Sequence, residues 1–424
     1  MNMVNYYINL INKIKKTFFP FYKNKEIKNI FKILNKNNFT GADSAMFVGG
    51  CVRKHLLGEE IDDIDIATNL TPNQVKEKFK DTKFKVVDTG IDHGTVTIVS
   101  NKLKFEITTL RKDIKTDGRH AEIEYTNDWQ KDSERRDFTV NAIYLNINGK
   151  IFDPQLGEGD LNNREIRFIG DPQKRIEEDY LRIIRFIRFS LEYNSDPEEN
   201  VIKTIKLNLD GIKKISKERI FKELLKILDG KNFLKINEKI SLKEIFLLIF
   251  PELQNINRLN KIGKISNNLT LNREMLLSIL LLDDSNNVEY FSHKYNVSND
   301  LKNKLNLINI NFKKFNNDKD FFKKDLQKNI YLFGKDHLII LNIIRFIINQ
   351  KDKIHDYYAI LNLIKKFEVP NFPFSGKYLK DKGMKEGVKI GKILKLIEKE
   401  WIKNDFNISN DDVEKIINSN NQTY

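Results

Sequence analysis

What most limits the folds open to this chain is a change of texture near Asp171. Before it, short runs rich in β-branched and aromatic residues alternate with turns carrying Gly and Asp. The runs cover residues 45–48, 64–67, 84–87, 95–99, 105–109 and 142–146. Helical spacing follows the first of them, over 52–57. A second helix is predicted to open at Thr71-Pro72, where Thr caps and Pro fits the first turn. After Asp171, Ile176, Tyr180, Ile183, Ile184 and Ile187 mark one apolar helical face, with Arg182, Arg185 and Arg188 threaded through it. From about residue 200 onward strand signals are scarce, and the Asn/Lys-rich stretch 311–324 reads as a loop or exposed helix. The pattern predicts an α+β chain, a small mixed sheet followed by an all-helical remainder.

Composition narrows the function. At 424 residues the chain is long enough for two to four domains, and 40% apolar content supplies their cores. A single cysteine, Cys51, excludes a disulfide scaffold and any multi-cysteine zinc site. The net charge of +14 favours a polyanionic partner, although an Asn-, Ile- and Lys-rich composition also fits drift in an AT-rich genome. Its distribution says more: residues 1–40 hold 8 Lys against 1 Glu, residues 41–250 hold 36 basic against 37 acidic, and residues 251–424 hold 29 against 21. The longest apolar stretch, 338–348, is interrupted by Asn342 and Arg345 and is too short to span a bilayer, so it reads as a buried helix. The N-terminus lacks the apolar core of a secretory signal and its basic residues are all Lys. These features predict a cytoplasmic protein with no membrane partner.

The most informative segment is Phe47-Val48-Gly49-Gly50-Cys51-Val52-Arg53, followed by Asp62-Asp63-Ile64-Asp65. A strand enters two glycines and a helix begins just after them. Without Cβ atoms, Gly49 and Gly50 let a phosphate approach backbone amides at a helix start. Arg53 adds a fork of donors for phosphate oxygens. Asp63 and Asp65 alternate along a predicted strand, so they point to one face, and two adjacent carboxylates repel unless a cation lies between them. Mg²⁺ suits that arrangement, because it binds through a few carboxylates plus substrate phosphates. Glu106, on a later predicted strand, offers a third carboxylate. Alone, a Gly-Gly is a turn and an Asp-x-Asp a solvated strand edge; in strand–turn–helix–strand order they point to nucleotidyl transfer.

This segment resembles the class II tRNA nucleotidyltransferase and poly(A) polymerase family, whose signature is Gly-Gly-x-Val-Arg followed by Asp-x-Asp. The resemblance continues in Phe105-Glu106-Ile107-Thr108-Thr109-Leu110-Arg111, in Arg135-Arg136-Asp137-Phe138-Thr139-Val140-Asn141-Ala142, in Asp153-Pro154 with Gly157 and Asp160-Leu161, in Glu178-Asp179-Tyr180-Leu181-Arg182, and in Lys217-Glu218-Arg219-Ile220 with Glu223-Leu224. It is strong over 46–192, moderate over 215–229 and weak over 374–401. One departure is Lys54, where family members usually carry Asp, which puts in doubt a role of that Asp in orienting Arg53.

The resemblance implies a basic N-terminal helical extension (1–40), a catalytic head (41–160), a neck with the base-selecting helix (161–230) and a helical, tRNA-binding body and tail (231–424). It implies that a tRNA 3′-hydroxyl attacks the α-phosphorus of CTP or ATP, with Asp63 and Asp65 holding two Mg²⁺ ions and Glu106 assisting as ligand or proton acceptor. Gly49, Gly50 and Arg53 would meet the phosphates, and Arg136, Asp137 and Asn141 the ribose. Asp179 and Arg182 would read the base, with Arg185 beside them. Cytosine and adenine each show an amino donor next to a ring-nitrogen acceptor, which a carboxylate and a guanidinium three residues apart on one helix face complement. Guanine and uracil present two mismatches. The implied activity is CCA addition. A poly(A) polymerase, a CC-only or A-only enzyme, and a catalytically silent RNA-binding protein are the alternatives. A full loop-like run over 111–129, with Asp117-Gly118-Arg119 in it, favours ATP addition. His355-Asp356 lacks the spaced partners of a metal dyad, Cys51 reads as a small residue that fits its turn, and Phe315, Phe321 and Trp401 read as core.

Overall fold

The computed structural model describes residues 20–36, 43–91, 94–100, 103–116, 121–263, 265, 271–283, 285–318, 320–349, 353–384 and 387–421. The chain divides into two compact units, Met1–Pro251 and Glu252–Tyr424.

The first unit is built on strands β1 (Ala45–Val48), β2 (Ile64–Thr68), β3 (Lys85–Gly90), β4 (Thr95–Val99), β5 (Lys104–Thr109), β8 (Tyr144–Leu145) and β9 (Ile151–Phe152), which form one sheet in the order β3-β4-β5-β2-β1-β8-β9. β2 and β5 run parallel and the other pairs antiparallel, so the sheet is mixed, as the sequence predicts. All four residues of β1 are buried, which explains its unbroken apolar run. Helix α1 (Lys25–Leu34) is capped by Asn24, whose side chain accepts from the Glu26 N–H at 2.8 Å. It buries Ile27, Ile30, Phe31 and Leu34, and the Phe31 ring rests 4.5 Å from that of Phe47 on β1. Residues 1–19 and 37–42 of the basic N-terminal stretch lie outside the described residues. Helix α2 (Gly50–Leu57) follows β1 directly, and α3 (Pro72–Phe79) opens on a reciprocal capping box between Thr71 and Gln74.

Two readings are corrected. The run 111–129 is not a loop: β6 (Arg111–Thr116) and β7 (Ala121–Tyr125) form a separate two-stranded hairpin, and α4 (Trp129–Glu134) begins at its end. The hairpin strands are written largely in charged residues, with Lys112 paired to Glu124 at 2.8 Å, so no apolar alternation marks them. Asp117-Gly118-Arg119 lies outside the described residues. The 142–146 run also contracts to the two residues of β8, after a single 3₁₀ turn at Thr139–Asn141.

Helices α5 (Gly157–Asn163), α6 (Pro172–Glu178), α7 (Leu181–Glu192), α8 (Glu199–Leu207), α9 (Lys217–Leu228) and α10 (Ile240–Ile249) complete the unit. α7 is buried around most of its circumference, with Phe186 and Phe189 packed on Phe138 and Phe168.

In the second unit every regular element among the described residues is helical. Lys335–Ile348 forms the buried helix that its apolar run predicts, and its buried Asn342 donates to the Tyr357 carbonyl at 3.1 Å. Phe321 and Trp401 are core residues, as their spacing predicts, and Phe315 is half-buried against Phe312, Phe321 and Phe322. The 311–324 stretch is less exposed than its composition suggests. It begins inside the helix Asn299–Asn317, which buries Phe312 and Asn311, the latter bonded to His337 at 3.1 Å. No helix among the described residues is long and apolar enough to cross a membrane.

Candidate active site

The site begins where β1 stops. Gly49 has φ +73°, a left-handed conformation that L side chains rarely adopt, and it caps the start of α2. A Cβ at Gly49 would lie 3.3 Å from the Asp65 Oδ2, so the glycine is also the space that lets the carboxylate come up beside the turn. Beneath the turn, the Cys51 thiol donates to the Val48 carbonyl at 3.3 Å, and burial pushes its pKa up to about 12. Asp65 is half-buried on β2, while Asp63 is exposed on the approach to that strand. Asp65 stands in register with Glu106 on β5, which is exposed and paired with Lys104 at 2.5 Å. Burial, then Glu106 and Asp63, push the Asp65 carboxyl up to about 6 against the pull of Arg136 and Arg53. Lys54 pairs with Asp62 on the same approach.

Among the described residues no three His, Cys, Asp or Glu side chains are gathered closely enough to hold an ion unaided. Asp63 and Asp65 nevertheless fit a divalent ion. Burial first, then Glu106 and more weakly Asp63, raise Asp65, and a hard cation that takes two carboxylates and completes its shell with substrate phosphate and water would relieve that strain.

A second group of side chains lies at the 3₁₀ turn. Asp137 accepts from the Asn141 Nδ2 (2.7 Å), the Phe138 N–H (3.0 Å) and the Arg185 Nε (2.7 Å). Burial alone would raise Asp137, but Arg185 and Asn141 hold it well below the usual carboxylate range. The Asn141 Oδ1 accepts from Arg53, which joins this group to the phosphate turn. Arg136 is braced beside this group: it donates to Asp132 at 2.9 Å, to the Tyr144 hydroxyl at 3.1 Å and to the Asn141 carbonyl at 3.4 Å.

A third group sits between α6 and α7. The sequence places Asp179 and Arg182 on one helix, but Asp179 is extended (φ −156°, ψ 103°) and separates two helices. The apolar spacing runs unbroken from Ile176 to Ile187, which hides this break. The two side chains point to different partners. Asp179 accepts from the Leu181 N–H (3.1 Å) and from Arg219 on α9 (2.7 Å). Arg182 donates to Glu178 (2.5 Å) and to the Arg175 carbonyl (2.6 Å). Sequence reasoning assigned no site role to Arg219, Glu223 or Tyr193. Glu223, buried on α9, collects Arg188 (2.8 Å), Lys226 (2.7 Å) and, more distantly, Arg185 (3.7 Å). The arginine threading of α7 is the signal that such an acid must exist.

Known proteins resemble this chain in sequence and in fold. Residues 45–167 match the Poly A polymerase head domain, and residues 196–256 match a region described as a probable RNA and SrmB-binding site of polymerase A. The mitochondrial CCA tRNA nucleotidyltransferase 1 of Danio rerio is 31% identical, with 92% of each chain covered. The human protein of that name is 33% identical over 86% of this chain and 84% of its own. A CCA-adding enzyme of Lactococcus lactis is 32% identical over 85% and 89%. Among solved structures, the Bacillus stearothermophilus CCA-adding enzyme in complex with CTP superposes with a TM-score of 0.69 at 22% identity, covering 94% of this chain and 98% of that one. The Thermotoga maritima CCA-adding enzyme with tRNA gives 0.61 at 22%, covering 94% and 97%. Matched along most of its own length and of theirs, the chain belongs to the class II tRNA nucleotidyltransferase and poly(A) polymerase family.

Proposed function

We infer that this chain is a CCA-adding tRNA nucleotidyltransferase, which transfers CMP, CMP and AMP from CTP and ATP to the tRNA 3′ end. Its CCA-adding relatives support the activity. The observation that carries the site is the Asp65 carboxylate standing against the Gly49 turn, where a phosphate and its counter-ion would meet. Nucleotidyltransferases of this family use divalent metal ions, and for this chain we propose Mg²⁺. Asp63 and Asp65 would hold two such ions, which would supply charge that favours ionisation of the attacking 3′-hydroxyl and stabilises the pyrophosphate leaving group.

The chain's own groups do the rest. The backbone at Gly49-Gly50 and the Arg53 guanidinium receive the triphosphate. Asp137 and Asn141, already ordered by Arg185 and Arg53, present polar atoms to the ribose, so a deoxy sugar leaves a buried group unmatched. Asp179 uses two of the roughly four bonds a carboxylate can accept, on Leu181 and Arg219. Capacity therefore remains for the amino group of cytosine or adenine, with Arg182 as the donor beside it. Exposed Lys389, Lys392, Lys395 and Lys399 on the helix Val388–Lys403 suit phosphates of the tRNA body.

A tRNA transcript lacking CCA, incubated with Mg²⁺ and CTP, ATP or both, tests this reading. Two added residues with CTP alone and three with both support it; no extension in any mixture overturns it. Long tails with ATP alone would identify a poly(A) polymerase instead.

A further inference from the structure

Arg53 belongs to the phosphate turn, yet its orientation is set from the far end of α7. Tyr193, the residue that closes α7, is 8% exposed and accepts from the Arg53 Nε at 2.9 Å. The Asn141 Oδ1 accepts from Nη1. The guanidinium lies over the Phe189 ring at 4.9 Å, and Tyr193 stacks on that ring with centroids 6.3 Å apart and planes within 10°. A guanidinium is a rigid planar fork, so fixing Nε and Nη1 also fixes the direction of Nη2. Nη2 faces the phosphate turn: a Cβ on Gly50 would stand 4.0 Å from it.

We propose that Tyr193 is a positioning residue for the triphosphate, its hydroxyl locking Arg53 so that Nη2 points at the phosphate entering the Gly49-Gly50 turn. The proposal rests on the nucleotidyltransferase reading. Tyr193 touches no nucleotide and acts through Arg53. Its effect is therefore blind to the base, because CTP and ATP carry the same triphosphate. Asp179 and Arg182 choose between bases, and the Tyr193 hydroxyl does not take part in that choice.

Tyr193→Phe in the full-length protein removes one oxygen and keeps the ring. The expected result is a rise in KM for CTP and for ATP by the same factor, about fivefold, with kcat changed less than twofold, the pattern of lost uniform binding. Binding of inorganic pyrophosphate, measured by calorimetry, weakens in parallel. On an Arg53→Lys background, which lacks the fork, Tyr193→Phe adds no further loss. Unchanged KM and pyrophosphate affinity, unequal effects on CTP and ATP, or the same loss persisting on the Arg53→Lys background would each overturn the proposal. A lowered melting temperature with intact pyrophosphate binding would assign Tyr193 to packing alone and likewise overturn it. Failure of the unmutated protein to extend tRNA sinks the functional reading, whereas the pyrophosphate comparison still decides the Tyr193–Arg53 coupling.

Discussion

The two sides of the catalytic unit handle their carboxylates in opposite ways. Beside the glycine turn, Asp65 faces Glu106 and Asp63, and its proton affinity is raised. Toward α7 and α9, Asp137, Asp179 and Glu223 are each matched by arginines, and Asp137 and Glu223 are held below the usual range against the effect of burial. One side gathers like charges, as the proposed cation and phosphate site requires. The other is finished within the protein and holds its shape before any substrate arrives.

The largest effect should come from the unfinished side. Asp63→Ala combined with Asp65→Ala should lower nucleotide incorporation by about a thousandfold or more, while the melting temperature stays level or rises as like charges are removed. Retained activity would refute the metal assignment, and a large drop in melting temperature would break the contrast itself. On the finished side the balance should reverse. Asp137→Ala leaves Arg185 without its nearest acid, and stability should fall by about 3 kcal/mol, read by urea unfolding; an unchanged midpoint would mean the network is not self-contained. The sign with pH follows. Because the Asp137 pKa is depressed on folding, its contribution is present above the ordinary value near 4 and is lost as pH falls below it. Asp137→Asn should flatten that part of the acid-stability curve.

The second unit offers a smaller test with a neutral group. Burial pushes His337 down to about 4, and its ring accepts from Asn311. Its folded pKa lies below the ordinary value near 6.5, so stability should be full above that pH and fall between about 6.5 and 4. Melting of His337→Gln across that window should show a shallower slope than the parent; parallel curves would remove His337 as the cause. Smallest of all is Lys54, whose pairing with Asp62 is largely solvated. Lys54→Ala should change stability by at most about 1 kcal/mol, and a larger loss would show that the approach to β2 is part of the finished network.

What the sequence revealed and what it hid have physical causes. β4 and β5 were readable because each pairs buried positions with β-branched residues, β1 because its whole run is apolar and buried, and the Gly49-Gly50 turn because only glycine suits a positive φ beside a carboxylate. The β6–β7 hairpin was hidden because it lies outside the main sheet and carries charges in place of apolar alternation. The break at Asp179 was hidden because α6 and α7 keep one continuous apolar face across it. Pairings such as Tyr193 with Arg53, 140 residues apart, leave no local trace. The arginines were visible in the sequence, but which acid each would meet was decided by the packing of α7 between the 3₁₀ turn and α9.

Cys51 carries a practical consequence. It is the chain's one cysteine and sits inside the phosphate turn, yet with its pKa near 12 it holds almost no thiolate at neutral pH. Maleimides, peroxide and disulfide reagents should therefore pass it by, and the folded protein should need no reductant in handling. A cysteine introduced on the surface would be the sole target for a fluorophore or spin label, so nucleotide binding could be followed from a chosen position without first removing a native thiol.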